Sequence, residues 1–155
     1  MVAVAGCSAG NDGAASGGSS RPRPRTSVAM PPPSSDAARP AADGHDVSAC
    51  ADADCEVAVS QPLTVRFKGP GGPTTLSVTE VGPDKAEFTV KGGNGRSRAG
   101  ANGEGSGCVI VLSSNGSSTS CGGAPGARPT AEPGTVVIQI ATGQDGTAIL
   151  QIASR

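Results

Sequence analysis

The sequence predicts an all-β domain, a small antiparallel sandwich or partly open barrel of about seven short strands, preceded by a disordered tether. Three observations carry this expectation. Apolar and polar residues alternate with a period of two from Glu56 onward. Clusters of Gly and Pro punctuate these runs at short intervals. No segment sustains helical spacing between capping residues. Short strands joined by Gly/Pro turns are the signature of sandwiches and barrels.

The candidate strands cover 56–59, 63–68, 75–81, 86–91, 108–113, 135–141 and 147–153. In the second, Leu63, Val65 and Phe67 share one face, and Thr64, Arg66 and Lys68 the other. In the fourth, Phe88 and Val90 point inward against Glu87, Thr89 and Lys91. Val136, Ile138 and Ile140 repeat the device, as do Ala148, Leu150 and Ile152. Gly82-Pro83-Asp84 predicts a tight hairpin between the third and fourth strands, because Gly and Pro supply its special dihedrals. Gly143-Gln144-Asp145-Gly146 does the same for the last two. Gly69-Pro70-Gly71-Gly72-Pro73 breaks the chain between the second and third. Two stretches, 92–107 and 122–134, show no strand pattern. Both are rich in glycine and poor in groups that bind tightly, and they read as disordered loops.

The chain has 155 residues, a formal net charge of -1, and Phe67 and Phe88 as its only aromatic residues. That length suits one domain and a tail. Near-neutrality gives no reason to expect nucleic acid as a partner, and Arg96 and Arg98 lack the aromatic platforms on which bases stack. Nearly all large apolar residues follow Cys55, which places the domain at 48–155 and a Gly/Ser/Pro-rich tether at 7–47. The tether has too little apolar surface to fold. Its Pro31-Pro32-Pro33 run favours extended polyproline II. Arg21, Arg23 and Arg25 within it either keep the linker soluble or attract anionic head groups and polymers.

Val4-Ala5-Gly6-Cys7 resembles the lipobox of bacterial lipoproteins: a small residue precedes an obligatory cysteine, and an aliphatic residue lies three positions before it. The resemblance implies a diacylglycerol on Cys7 and cleavage after Gly6, with residues 1–6 the remnant of a signal peptide. It also implies a place on the extracytoplasmic face of the cell membrane. Met1 to Ala5 are shorter than the basic and apolar regions of such a peptide, so this reading puts the natural start upstream. Two acyl chains make the anchor durable where one does not. Further along, Cys55-Glu56-Val57-Ala58-Val59 through Leu63-Thr64-Val65 is similar to small secreted or lipid-anchored β-domain proteins of high-GC Gram-positive bacteria. That likeness implies no activity.

Besides Cys7, the cysteines are Cys50, Cys55, Cys108 and Cys121, an even set inside the domain. Export makes disulfides their default chemistry. Four cysteines allow three connectivities. The local pairs Cys50–Cys55 and Cys108–Cys121 are favoured because both close short polar loops. Zinc is the rival for Cys50-x₄-Cys55, but the second pair is too widely spaced for a knuckle. No Cys-x-x-Cys dithiol offers redox chemistry.

Other chemistry finds little support. His45, the only histidine, falls in the tether, where a general base cannot be held against its nucleophile. Asp43, Asp46, Asp52, Asp54 and Glu56 lack the ligand pattern of a calcium loop and read more simply as a solvated edge. Gly93-Asn94-Gly95 and Gly103-Glu104-Gly105 lack the strand and helix of a nucleotide fingerprint. No catalytic residue, metal ligand or cofactor is assigned. The expectation is a non-catalytic envelope lipoprotein whose β-domain binds or displays, with an envelope protein or polymer as partner. The alternatives are an accessory lipoprotein acting through a membrane partner, and a hydrolase built on paired carboxylates.

Overall fold

Inward-pointing apolar residues on alternate positions assemble two antiparallel sheets that share one core. The computed structural model describes residues 40–93 and 95–155. A 3₁₀ turn at Val47–Asp52 leads into β1 (Cys55–Val59), β2 (Leu63–Gly69), β3 (Gly72–Gly82), β4 (Lys85–Gly92) and β5 (Gly95–Asn102). β6 (Gly107–Ser113), β7 (Gly116–Cys121), β8 (Val136–Thr142) and β9 (Ala148–Ser154) follow. Sheet A has the order β1-β9-β8-β6-β7 and sheet B the order β2-β3-β4-β5, so the fold is a sandwich and not a closed barrel. The lipobox, Cys7 and the tether up to residue 39 lie outside the described residues.

Cross-strand rows build the core. On sheet A, Val57 lies opposite Leu150, Leu150 opposite Ile140, and Ile140 opposite Cys108. One row over, Cys55, Ile152, Ile138 and Ile110 repeat the arrangement. Sheet B answers with Val65, Leu76 and Val90, and with Leu63, Val78, Phe88 and Ala99. Leu76, Phe88, Ile138 and Leu150 are fully buried where these rows meet. Each such side chain contributes about 1.5–3 kcal/mol by leaving water.

Nine strands among the described residues replace the expected seven. Six of the seven expected segments differ from the observed strands by one residue at one or both ends, while 75–81 begins three residues later than β3. The additions are β5, inside the stretch read as the loop 92–107, and β7, inside the polar segment after β6. β5 turns only Ala99 and Ala101 into the core, and β7 has no buried residue at all. Both are edge strands held by their neighbours' ladders. They meet at the Ser97 and Ser117 hydroxyls, 2.6 Å apart.

A bulge keeps β3 in phase with the core. Val78 pairs with Phe88, but Glu80 pairs with Glu87, so one extra residue is accommodated between them. Strict alternation would have turned Glu80 inward. The bulge leaves Glu80 exposed and packs Val81 against the core instead. The hairpin beyond it lies where predicted, but Asp84, and not Gly82, takes the left-handed conformation, at φ 53°, and Gly82 pairs with Lys85.

The stretch 122–134 is not a disordered loop. β7 and β8 both pair antiparallel to β6 and therefore run parallel to each other. A parallel connection must cross over, and this one lies against the outer face of sheet A. Ala131 packs there on Val137 and Ala153, with Val109 and Val111 beside them. Gln139 donates to Gly126 O at 3.4 Å and to Gln151 Oε1 at 3.0 Å; Gln151 in turn donates to Glu56 Oε2 at 2.7 Å. β8 is consequently buried on both faces except at Ala141.

Two substitutions probe this arrangement by chemical denaturation. Ile138→Ala should cost about 2–5 kcal/mol, whereas Thr119→Ala, exposed on β7, should change stability by less than about 0.5 kcal/mol. At Gly107 an added methyl would meet Ile140 O at 2.6 Å and Pro125 Cγ at 2.8 Å. Gly107→Ala should therefore cost about 1–3 kcal/mol; an unchanged midpoint would contradict the seating of the crossover.

Candidate functional site

The domain cysteines form two disulfides, Cys50–Cys55 and Cys108–Cys121. The first ties the 3₁₀ turn to the start of β1, with both residues buried. The second joins residues directly opposite each other on β6 and β7. Cys108 is buried and Cys121 exposed. All four sulfurs are thus engaged in covalent bonds, which leaves no thiolate among them for zinc.

Residues 41–46, assigned to the tether by composition, lie along β1. Asp43 N donates to Glu56 O, and Ala58 N donates to Gly44 O at 2.7 Å. His45 is exposed, and its Nδ1 sits 2.9 Å from the Ala58 carbonyl oxygen. The acidic residues nearby serve the backbone. Asp43 Oδ2 accepts from Glu56 N, Asp52 Oδ1 accepts from Asp54 N, and Asp46 caps the 3₁₀ turn through Ser48 N and Oγ. These Ser48 bonds hold the Asp46 carboxyl below its ordinary range. Asp54 pairs with Arg128 of the crossover. Among the described residues, no three His, Cys, Asp or Glu side chains converge in a way that could hold a metal.

A cavity of about 30 Å³ lies at one end of the sandwich, where Thr74, Val90, Ser97 and Leu112 approach one another. That is space for about one water molecule. A shallow open hollow of about 450 Å³ lies at the surface where the 3₁₀ turn meets β2, beside Thr64 and Arg66.

The outer face of sheet B is more distinctive. Register places Arg66, Thr75, Lys91 and Arg96 in one row across all four strands. The next row is Thr64, Ser77, Thr89 and Arg98. Lys68 extends the patch along β2. Arg66, Lys68, Lys91, Arg96 and Arg98 are all exposed, and no carboxylate pairs with any of them among the described residues. The acids of this sheet sit at its other end. There Lys85 bridges Glu80 at 2.9 Å and Glu87 at 3.5 Å, an ion triad on an open surface.

The sequence placed Arg66, Lys68 and Lys91 outward, but it left Arg96 and Arg98 in a loop. The signal was present: Arg96 and Arg98 alternate with Ser97 and Ala99 directly after a Gly-rich turn. No family model, curated protein or solved structure matches the chain.

Two measurements follow from this geometry. The Glu80 hydrogen bond is the main cause that raises the Lys85 pKa above its ordinary 10.5. Being raised, it favours the fold below that value, and the contribution is lost as pH climbs through the folded pKa. An NMR titration should place the Lys85 midpoint above 10.5, and Glu80→Gln should bring it down; an unmoved midpoint would contradict the bridge. Replacing Cys108 and Cys121 together with Ala should cost about 3 kcal/mol in denaturant unfolding, with equal stability as the contrary result.

Proposed function

We propose that this chain is an exported lipoprotein, anchored through Cys7 on the extracytoplasmic face of the cell membrane, whose β-sandwich is a non-catalytic binding or display module. The observation that carries the reading is the pairing of four cysteines into two disulfides. Such bonds form and persist in oxidising compartments outside the cytoplasm. The pairing accounts for every cysteine of the domain and leaves Cys7, in its lipobox-like setting, for another chemistry. Among the described residues no helix is long and apolar enough to cross a membrane.

The binding half of the proposal draws on the distribution of side chains. Sheet B presents an open, charged, hydroxyl-rich outer face, and its inner face is occupied by the core. A surface of this kind suits recognition of an extended partner better than enclosure of a small substrate.

Metabolic labelling with a radioactive fatty acid tests the anchor. The wild-type chain should take up label and fractionate with membranes, while Cys7→Ala should be unlabelled and released. Equal labelling of the two, or none in the wild type, would overturn the proposal.

A further inference from the structure

We propose that the outer face of sheet B is a docking surface for a linear phosphodiester polyanion. The inference rests on the reading of the domain as a binding module and is independent of any lipid on Cys7.

The arrangement of cations on this face carries an electrostatic cost. Lys91 lies directly opposite Arg96 on neighbouring strands, and like charges so placed destabilise a sheet. Arg66 occupies the same row two strands away, about 10 Å from Lys91 at the usual strand spacing. Protection of sheet edges against aggregation explains charges on β2 and β5, which are the edges of sheet B. It does not explain Lys91, on the interior strand β4, nor a single sign across the whole patch. A bound anion relieves this repulsion.

The chemistry of the face narrows the ligand. Arg66, Arg96 and Arg98 carry guanidinium forks that match phosphate oxygens two at a time. The hydroxyls of Thr64, Thr75, Ser77 and Thr89 share the face and add neutral donors. Both phenylalanines are in the core, so no aromatic side chain on the surface can stack on a base or a sugar ring. No large apolar side chain accompanies the cations, so the face has nothing to insert into a bilayer. Along a strand, same-face residues such as Arg96 and Arg98 stand about 6.7 Å apart. That spacing suits an extended polymer with one negative charge at a comparable repeat.

The test uses the full chain without lipid and a synthetic poly(glycerol phosphate), by isothermal titration at low and at physiological salt. Wild type should bind with an affinity that falls as salt rises. The Arg66→Gln/Lys91→Gln/Arg96→Gln/Arg98→Gln variant should bind at least about tenfold more weakly, whereas Arg21→Gln/Arg23→Gln/Arg25→Gln should lose less than about threefold. Circular dichroism checks the fold of each. Should the fourfold variant unfold, Lys91→Gln alone, expected to weaken binding about two- to threefold, carries the test. In wild type, amide shifts on titration should concentrate on β2, β4 and β5. Undiminished binding by the face variants would overturn the assignment. So would loss of binding in the tether variant, or binding to phosphatidylglycerol vesicles with none to the polymer.

Discussion

The sandwich depends on a single shared core that fills the space between the two sheets up to the β7 edge, whose residues stay exposed. With two phenylalanines and no larger aromatic residue, the chain fills this space with rows of Val, Leu and Ile matched across strands. The outer faces offer the broad surfaces, and chain topology makes those unequal. β2 to β5 follow one another through hairpins, so nothing has to pass over sheet B. β7 and β8 flank β6 in parallel, so their connection has to cross the outer face of sheet A. One face is thereby covered and the other left open. The open face is the cationic one.

The edges need separate support. β7 consists of Gly, Ser, Thr and Cys and buries nothing, so its pairing with β6 gains little from the hydrophobic effect. Cys108–Cys121 compensates by holding the two strands in register and restricting the unfolded chain. Through β7 the same bond fixes where the crossover begins. Cys50–Cys55 acts similarly at the other end of sheet A, anchoring the 3₁₀ turn ahead of the edge strand β1. Both bonds place the fold's stability in dependence on an oxidising surrounding.

Periodicity revealed the strands that carry large side chains and failed where small ones do the same task. Leu63, Val65 and Phe67 announce β2, whereas Ala99 and Ala101 bury too little surface to announce β5. β7 was silent because its stability comes from β6 and a disulfide, neither of which is a property of the segment itself. The crossover was illegible for another reason: Ala131 is its only buried residue, and glycine-rich composition hides a path set by topology. Cysteine spacing, by contrast, led to both pairings. The cationic face needed register as well as sequence, since Arg66, Lys91 and Arg96 are neighbours only once the hairpins are closed.

The inequality of the two outer faces is the claim on which the functional reading turns. Methyl-resolved paramagnetic relaxation by a soluble, uncharged nitroxide measures it directly. The account predicts that Val137 and Ala153, which point away from the core, are shielded nearly as well as Ile138 and Ile152, while the Thr79 methyl on sheet B relaxes strongly. Relaxation of Val137 and Ala153 as fast as that of Thr79 would mean that the crossover does not cover sheet A, and would contradict it.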